Sequence, residues 1–344
     1  MPLHIALAHC DPASLNLLQR IIEEETEARI LWTAADKTDV YRKSRLEKPD
    51  LLLIDLELAD AGSRLICDIM KEAPCAILLL SDTMEKRAEK VFEAMGCGAL
   101  DAIATPFSRK SGRVEGADAL LKKIATLAKL LGKSESPLRK AAPDRGFPAD
   151  RLPSLIAIGS STGGPKALAA ILSGLPETLE AAILVCQHVD LQFARGLAQW
   201  LDTQTPLSVS LAEEGARPRA GAVLVAATND HLVLGRDGAI HYTSHPREYA
   251  YRPSVNAFFA SLLQYWPRKD LAILLTGMGR DGAEGLAALR KAGWHTIVQD
   301  EKTSVVYGMP AAAVELGGAV EILPLGKIAA AILKKIPVCK GNGR

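Results

Sequence analysis

Cysteine is scarce and badly placed for cross-linking: Cys10, Cys67, Cys75, Cys97, Cys186 and Cys339 include no CxxC pair. Most of the six sit in apolar runs, which predicts reduced, buried thiols and argues against both a disulfide framework and a zinc site. A cytoplasmic location is the expectation that follows. Charge of one sign is lacking too. A formal net charge of +1, with Lys and Arg spread along the chain, leaves no footprint for a nucleic-acid backbone or an anionic membrane. No apolar run reaches the roughly 18 residues that span a bilayer, and MPLHIALAHCDP has no basic segment ahead of a long apolar stretch. No nucleic-acid partner, membrane insertion or secretion is expected. Neither G-x-G-x-x-G nor a Gly-Lys-Ser/Thr phosphate loop occurs.

What is present is ordinary for a globular protein: 344 residues, 48% hydrophobic and 24% charged. That length exceeds what one core usually serves, so two domains are expected. The first third alternates short apolar runs (LHIALAH, ILWTAA, DLLLIDL, AILLLS, ALDAIAT) with amphipathic segments. Continuous apolar strands separated by helical patterns predict a parallel sheet covered on both faces. A polar, proline-bearing stretch over residues 132–153 reads as a linker. From Ser154 the rhythm restarts with SLIAIG, AAILVCQ, VLVAAT, LAILLTG and HTIVQ. The fold class is therefore α/β, two doubly wound parallel-sheet domains over residues 1–131 and 154–338. Ligands of such sheets bind beyond the carboxyl ends of the strands, so polar residues just after apolar runs carry the functional interest.

Three strand ends in the second domain stand out. Gly159-Ser160-Ser161-Thr162-Gly163 fits G-x-S-x-G, which puts a serine hydroxyl on a sharp strand-to-helix turn beside unpaired backbone N–H groups. Taken alone, the pattern fits a nucleophile, a phosphate-cradling loop or a structural turn. His188 ends the strand AAILVCQ and is the candidate base; His231, His241, His245 and His295 fit structural or exposed positions better. Asp281 lies where LAILLTGMGRDG breaks into glycine turns, as an orienting carboxylate or as a helix N-cap. Ser, His and Asp each following a separate apolar strand favour a triad, which is recognised by roles rather than chain order. Their order differs from the Ser, Asp, His of α/β-hydrolases, so that fold is disfavoured.

IAIGSSTGGPKAL, the QH after AAILVC, RPSVNAFF, LTGMGRDGAEG and VYGMPAAA occur in the order of the chemotaxis response regulator family of protein-glutamate methylesterases, which the chain resembles over nearly its whole length. The resemblance implies a flavodoxin-like receiver domain followed by a methylesterase domain. It makes Ser161 the nucleophile, His188 the base and Asp281 the orienting acid, with Thr162 and the Met278 backbone at the oxyanion. It also implies hydrolysis of glutamate γ-methyl esters on methyl-accepting chemoreceptors, glutamine deamidation in some members, and no cofactor for hydrolysis. A chemotaxis-type histidine kinase is the implied partner of the receiver, which would cover the hydrolase rim until modified. VFEAMGCGALDAIATPF resembles the surface-sensing branch.

In the receiver the resemblance matches Asp55 to the phosphoacceptor, Asp11 and Asp55 to Mg²⁺ ligands, and Ser81 to the hydroxyl residue after the fourth strand. Two departures leave phosphorylation and docking alone both open. The usual acidic pair is replaced in His9-Cys10-Asp11, and the usual Lys-Pro is Thr105-Pro106.

Overall fold

The computed structural model describes residues 3–59, 64–81, 88–108, 114–130 and 152–336. Two compact units divide the chain, one within residues 1–135 and one within 136–344. The stretch expected to be a linker lies outside the described residues, apart from Leu152 and Pro153.

In chain order the first unit runs β1 (His4–Ala8), α1 (Pro12–Glu25), β2 (Arg29–Ala34), α2 (Lys37–Leu46), β3 (Leu51–Asp55), α3 (Leu56–Ala59), α4 (Leu65–Glu72), β4 (Ala76–Ser81), α5 (Ala88–Gly96) and β5 (Asp101–Ala104). A small antiparallel pair, β6 (Phe107–Ser108) and β7 (Val114–Glu115), precedes α6 (Ala117–Leu130). Five parallel strands form one sheet in the order β2-β1-β3-β4-β5, the doubly wound flavodoxin-like order. Position in the sheet explains the strand sequences. Central β3 (LLLID) and β4 (AILLLS) are buried at every residue, whereas edge strand β2 (RILWTA) is partly exposed.

The cysteines correct the expectation of uniformly reduced, buried thiols. Cys67 in α4 and Cys97, just past α5, form a disulfide with Cα atoms 4.7 Å apart. Thirty residues separate them in sequence, so only the return of the chain through β4 brings them together. Cys10 is exposed, Cys75 half-buried and Cys186 buried.

The second unit comprises β8 (Ser154–Ser160), α7 (Gly164–Leu172), β9 (Ala181–Gln187), α8 (Leu191–Gln204), β10 (Ser208–Ala212), β11 (Ala222–Ala226), β12 (His231–Leu234), β13 (Ile240–Thr243) and α9 (Val255–Tyr265). It continues with β14 (Leu271–Leu274), α10 (Ala283–Lys291), β15 (His295–Gln299), α11 (Met309–Glu315), β16 (Glu321–Leu323) and α12 (Leu325–Lys335). Seven parallel strands lie in the order β10-β11-β9-β8-β14-β15-β16, and β12 pairs antiparallel with β13 as a separate hairpin. Leu155, Ala157, Leu184, Leu274 and Val298 join Phe258, Phe259 and Leu286 in one core. Burying such side chains contributes about 1.5–3 kcal/mol each relative to exposure. The strand order reverses direction at β8, with β9 on one side and β14 on the other. Crevices at such switch points are where open α/β sheets bind ligands. Among the described residues no helix is long and apolar enough to cross a membrane.

Candidate active site

Ser161, His188 and Asp281 all emerge at this switch point. Ser161 follows β8, and its N–H donates to Thr276 O at 3.0 Å, tying the turn to the end of β14. Two glycines of the motif serve different ends. A Cβ on Gly159 would come within 2.3 Å of Val255 Cγ1, so the strand end must lack one to let α9 approach. Gly163 has φ +77°, the left-handed region that a side chain disfavours, and turns the chain into α7. Buried Gln187 braces both strand ends: Nε2 donates to Ser161 O at 2.9 Å and His188 O at 3.0 Å, while Oε1 accepts from Ser160 Oγ at 2.6 Å.

His188 extends the β9 ladder by one bond, its N–H donating to Ser160 O at 3.0 Å. Its Nε2 faces Asp281 Oδ2 at 2.8 Å, and its Nδ1 is buried with no hydrogen-bond partner among the described residues. Nδ1 is thus the imidazole nitrogen that Asp281 leaves unengaged. Tyr251 stacks on the imidazole, with centroids 4.0 Å apart and planes 15° apart. The structure brings the two strand ends together through adjacent register, but records no hydrogen bond between Ser161 Oγ and His188.

Asp281 does not cap its own helix: Gly282 is the N-cap of α10, with no side-chain bond. Its carboxylate sits instead on the N-terminus of α9, accepting from Val255 N at 2.7 Å, Asn256 N at 3.0 Å and Ser254 Oγ at 2.8 Å. Burial alone would raise this carboxyl. The His188 hydrogen bond and charge, with the Asn256 N–H and Ser254 hydroxyl donors, outweigh it and hold the group below the usual carboxylate range. A helix N-terminus adds its partial positive charge. The segment RPSVNAFF thus has a job that spacing could not disclose.

His231, expected to be structural or exposed, is fully buried. Its Nε2 donates to Pro246 O at 2.9 Å, and its Nδ1 accepts from Ser254 N at 3.0 Å. Burial pushes its pKa down, which suits this neutral tautomer. The N–H groups of Thr162 and Met278 donate to no acceptor among the described residues. Thr162 lies in the Ser161 turn and Met278 next to Gly277, whose Cβ position lies 2.8 Å from Ser161 Cβ.

In the first unit, Asp55 ends β3 and is buried; Ser81 ends β4 and is buried; Thr105 follows β5 and is buried. Asp11 is elsewhere employed. Its carboxylate caps α1, accepting from Ala13 N at 3.3 Å, Ser14 N at 2.8 Å and Ser14 Oγ at 2.7 Å. The groups that face Asp55 Oδ2 are Cys10 Sγ at 2.9 Å and His9 Nδ1 at 3.9 Å. Burial and the neighbouring Asp55 and Glu57 carboxylates push the Cys10 thiol up to about 12, so it is a protonated donor rather than a reactive thiolate. Mg²⁺ demands oxygen ligands in near-ideal octahedral geometry, and an imidazole and a thiol do not fit it. No step through Mg²⁺ is derived for this chain.

An open parallel sheet with a serine turn at its switch point, a His–Asp pair on the adjacent strand ends and two free N–H groups has the layout of a serine hydrolase. The sequence profile described as CheB methylesterase matches residues 156–332. A protein-glutamate methylesterase/protein-glutamine glutaminase of Cupriavidus metallidurans is 44% identical over 344 residues, covering 99% of this chain and 100% of the relative. One of Burkholderia lata is 46% identical over 331 residues, covering 95% and 97%. The crystal structure of the Thermotoga maritima CheB methylesterase catalytic domain is 34% identical, with TM-score 0.51, covering 53% of this chain and 98% of that one. The chain belongs to the CheB methylesterase family.

Proposed function

We propose that this protein hydrolyses glutamate γ-methyl esters on methyl-accepting chemoreceptors through Ser161, His188 and Asp281. The observation that carries the proposal is the imidazole of His188, bonded to Asp281 through Nε2 and left with a buried, unpartnered Nδ1 beside the serine turn. Ser161 Oγ attacks the ester carbonyl carbon as His188 Nδ1 takes its proton. The developing oxyanion is met by the Thr162 and Met278 N–H groups. Collapse expels methanol, which receives the proton from His188, and leaves a glutamyl-enzyme. Water, deprotonated by the same nitrogen, releases the glutamate side chain and regenerates Ser161. Asp281 keeps the ring in one tautomer and stabilises its charged form. A glutamine side chain would follow the same course with ammonia as leaving group, the deamidation named for the Cupriavidus and Burkholderia relatives.

Release of methanol from methylated receptor membranes by the native chain, and its loss in Ser161→Ala, tests the assignment. Equal release by both would remove Ser161 from the mechanism.

Residues 1–131 are proposed as the regulatory domain and 154–338 as the catalytic one, in the cytoplasm, with a chemotaxis-type kinase upstream. The flavodoxin-like order of the first sheet supports a receiver. Phosphorylation of Asp55 draws no support from its His9 and Cys10 neighbours, so docking of the receiver is the proposed control. A fragment beginning near Arg151 that is no more active than the full chain would overturn an inhibitory role.

A further inference from the structure

We infer that the acid pocket of the receiver has become a binding site for a borderline transition-metal cation of the Zn²⁺ class, held by His9, Cys10 and Asp55. These three offer a nitrogen, a sulfur and an oxygen that all lie within 4.8 Å of one another. That donor set selects imidazole- and thiolate-binding metals over Mg²⁺ or Ca²⁺. A tetrahedral zinc bound at about 2.0–2.3 Å separates its ligand atoms by roughly 3.3–3.8 Å. The present spacings, 2.9 Å from Cys10 Sγ to Asp55 Oδ2 and 3.9 Å from His9 Nδ1 to the same oxygen, straddle that range. Shifts of under about 1 Å suffice to seat the ion.

The state of His9 sets what binding requires. The ring is 3% exposed, so its direction is set by packing. Its Nδ1 lone pair accepts the Asp11 N–H at 3.0 Å, so that bond must open for Nδ1 to ligate the ion. Its Nε2 is buried without a partner among the described residues, so the fold makes no structural use of that end of the imidazole. Cys10, by contrast, is exposed and gives the ion its entry path. Glu57 Oε2, 3.7 Å from the same sulfur, offers a further carboxylate for a fourth position. The absence of CxxC spacing hides such a site, because its carboxylate comes from another strand.

Binding exchanges the Cys10 thiol proton, released to solvent, for the ion between sulfur and carboxylate. An ion seated there would hold Asp55 Oδ2 and leave Oδ1 on the Glu57 N–H at 3.2 Å.

Calorimetric titration of the full-length chain with Zn²⁺, with Cys10 shown to be a free thiol beforehand, tests the inference. The expected result is one ion per chain, unaffected by excess Mg²⁺ and weakened at least about tenfold in Cys10→Ser. Co²⁺ should give a thiolate-to-cobalt charge-transfer band that disappears in Cys10→Ser. His9→Gln, checked for folding by circular dichroism, should weaken binding while keeping the band weaker or shifted. Equal uptake by native protein and Cys10→Ser, no uptake at all, or displacement by Mg²⁺ would overturn it. Methylesterase activity plays no part in these readouts.

Discussion

Tyr251 lies flat on the imidazole of His188, with ring centroids 4.0 Å apart. The stack fixes the ring plane while Asp281 fixes its rotation, so the base is held from two directions. Stacked aromatic pairs contribute about 0.5–1.5 kcal/mol beyond area burial. If that energy orients the base, Tyr251→Leu lowers kcat roughly 3- to 10-fold, whereas Tyr251→Phe keeps most of it. Steady-state methanol release by the two variants checks this; equal losses would show that the ring face is not what matters.

Asp281→Asn removes the charge but leaves a group of similar shape on the N-terminus of α9. Loss of the orienting carboxylate costs on the order of 10⁴ in turnover, against 10⁴ to 10⁶ for Ser161→Ala. The asparagine amide also presents an N–H₂ toward donors that now find an acceptor, so thermal stability falls too. Turnover and the unfolding midpoint, measured on the same preparation, separate the two effects.

Gln187→Ala leaves Ser160 Oγ and His188 O without the partner that now satisfies them, while Ser161 O keeps the Gly164 N–H at 2.8 Å. Buried unsatisfied groups cost about 1–3 kcal/mol each, with partial relaxation expected, so the loss is on the order of 3 kcal/mol. Denaturant unfolding of the native and variant chains measures it directly. A loss below roughly 1 kcal/mol would mean that water takes over the bonds.

Gly277→Ala places a methyl group 2.3 Å from Met309 Sδ and 2.8 Å from Ser161 Cβ. The sulfur can yield, but the nucleophile is displaced in doing so. Displacements of about 1 Å near reacting atoms cost up to 10²-fold in rate, so kcat should fall far more than stability. An unchanged kcat would place the serine out of reach of this contact.

Acid should weaken the second unit through His231. Its pKa is depressed by burial in the folded chain, against about 6.5 when unfolded. The unfolded state then binds more protons between those two values, so stability rises with pH across that interval. The contribution is complete above about pH 6.5 and is lost as pH falls through the folded value. His231→Gln, which does not titrate, should show a shallower fall of the unfolding midpoint from about pH 7 to about pH 5. Parallel curves for the two proteins would exclude His231 as the source.

Much of this candidate site was legible in the chain because Ser161 and His188 directly follow apolar strands and Asp281 lies in the glycine turns after a third. IAIGS, ILVCQH and AILLTG announce parallel strands by their unbroken hydrophobicity, and parallel strands deliver their ends to one rim. That rule, with the G-x-S-x-G motif, pointed to Ser161, His188 and Asp281, and one restart of the same rhythm at Ser154 was enough to divide the molecule. Composition and periodicity thus determined the two parallel sheets and the residues at their edge.

Tertiary structure decided everything that depends on which distant groups meet. Whether Asp281 caps α10 or rests on α9 turns on a crossing between segments 26 residues apart, and the fold chose α9. The stacking of Tyr251 and the tautomer of His231 follow from the loop ahead of α9, and the free nitrogen of His188 from Asp281; neither segment has a periodic pattern to read. Asp11 had the acidic character of a metal ligand but was taken up by the helix it begins, while His9 and Cys10 turned toward Asp55. Cys67 and Cys97 met because β4 returns the chain between them. Hydrophobic periodicity encodes which face of an element is buried, and that is a local property. Hydrogen-bond partners are settled only when packing brings together groups remote in sequence, and no local pattern records them.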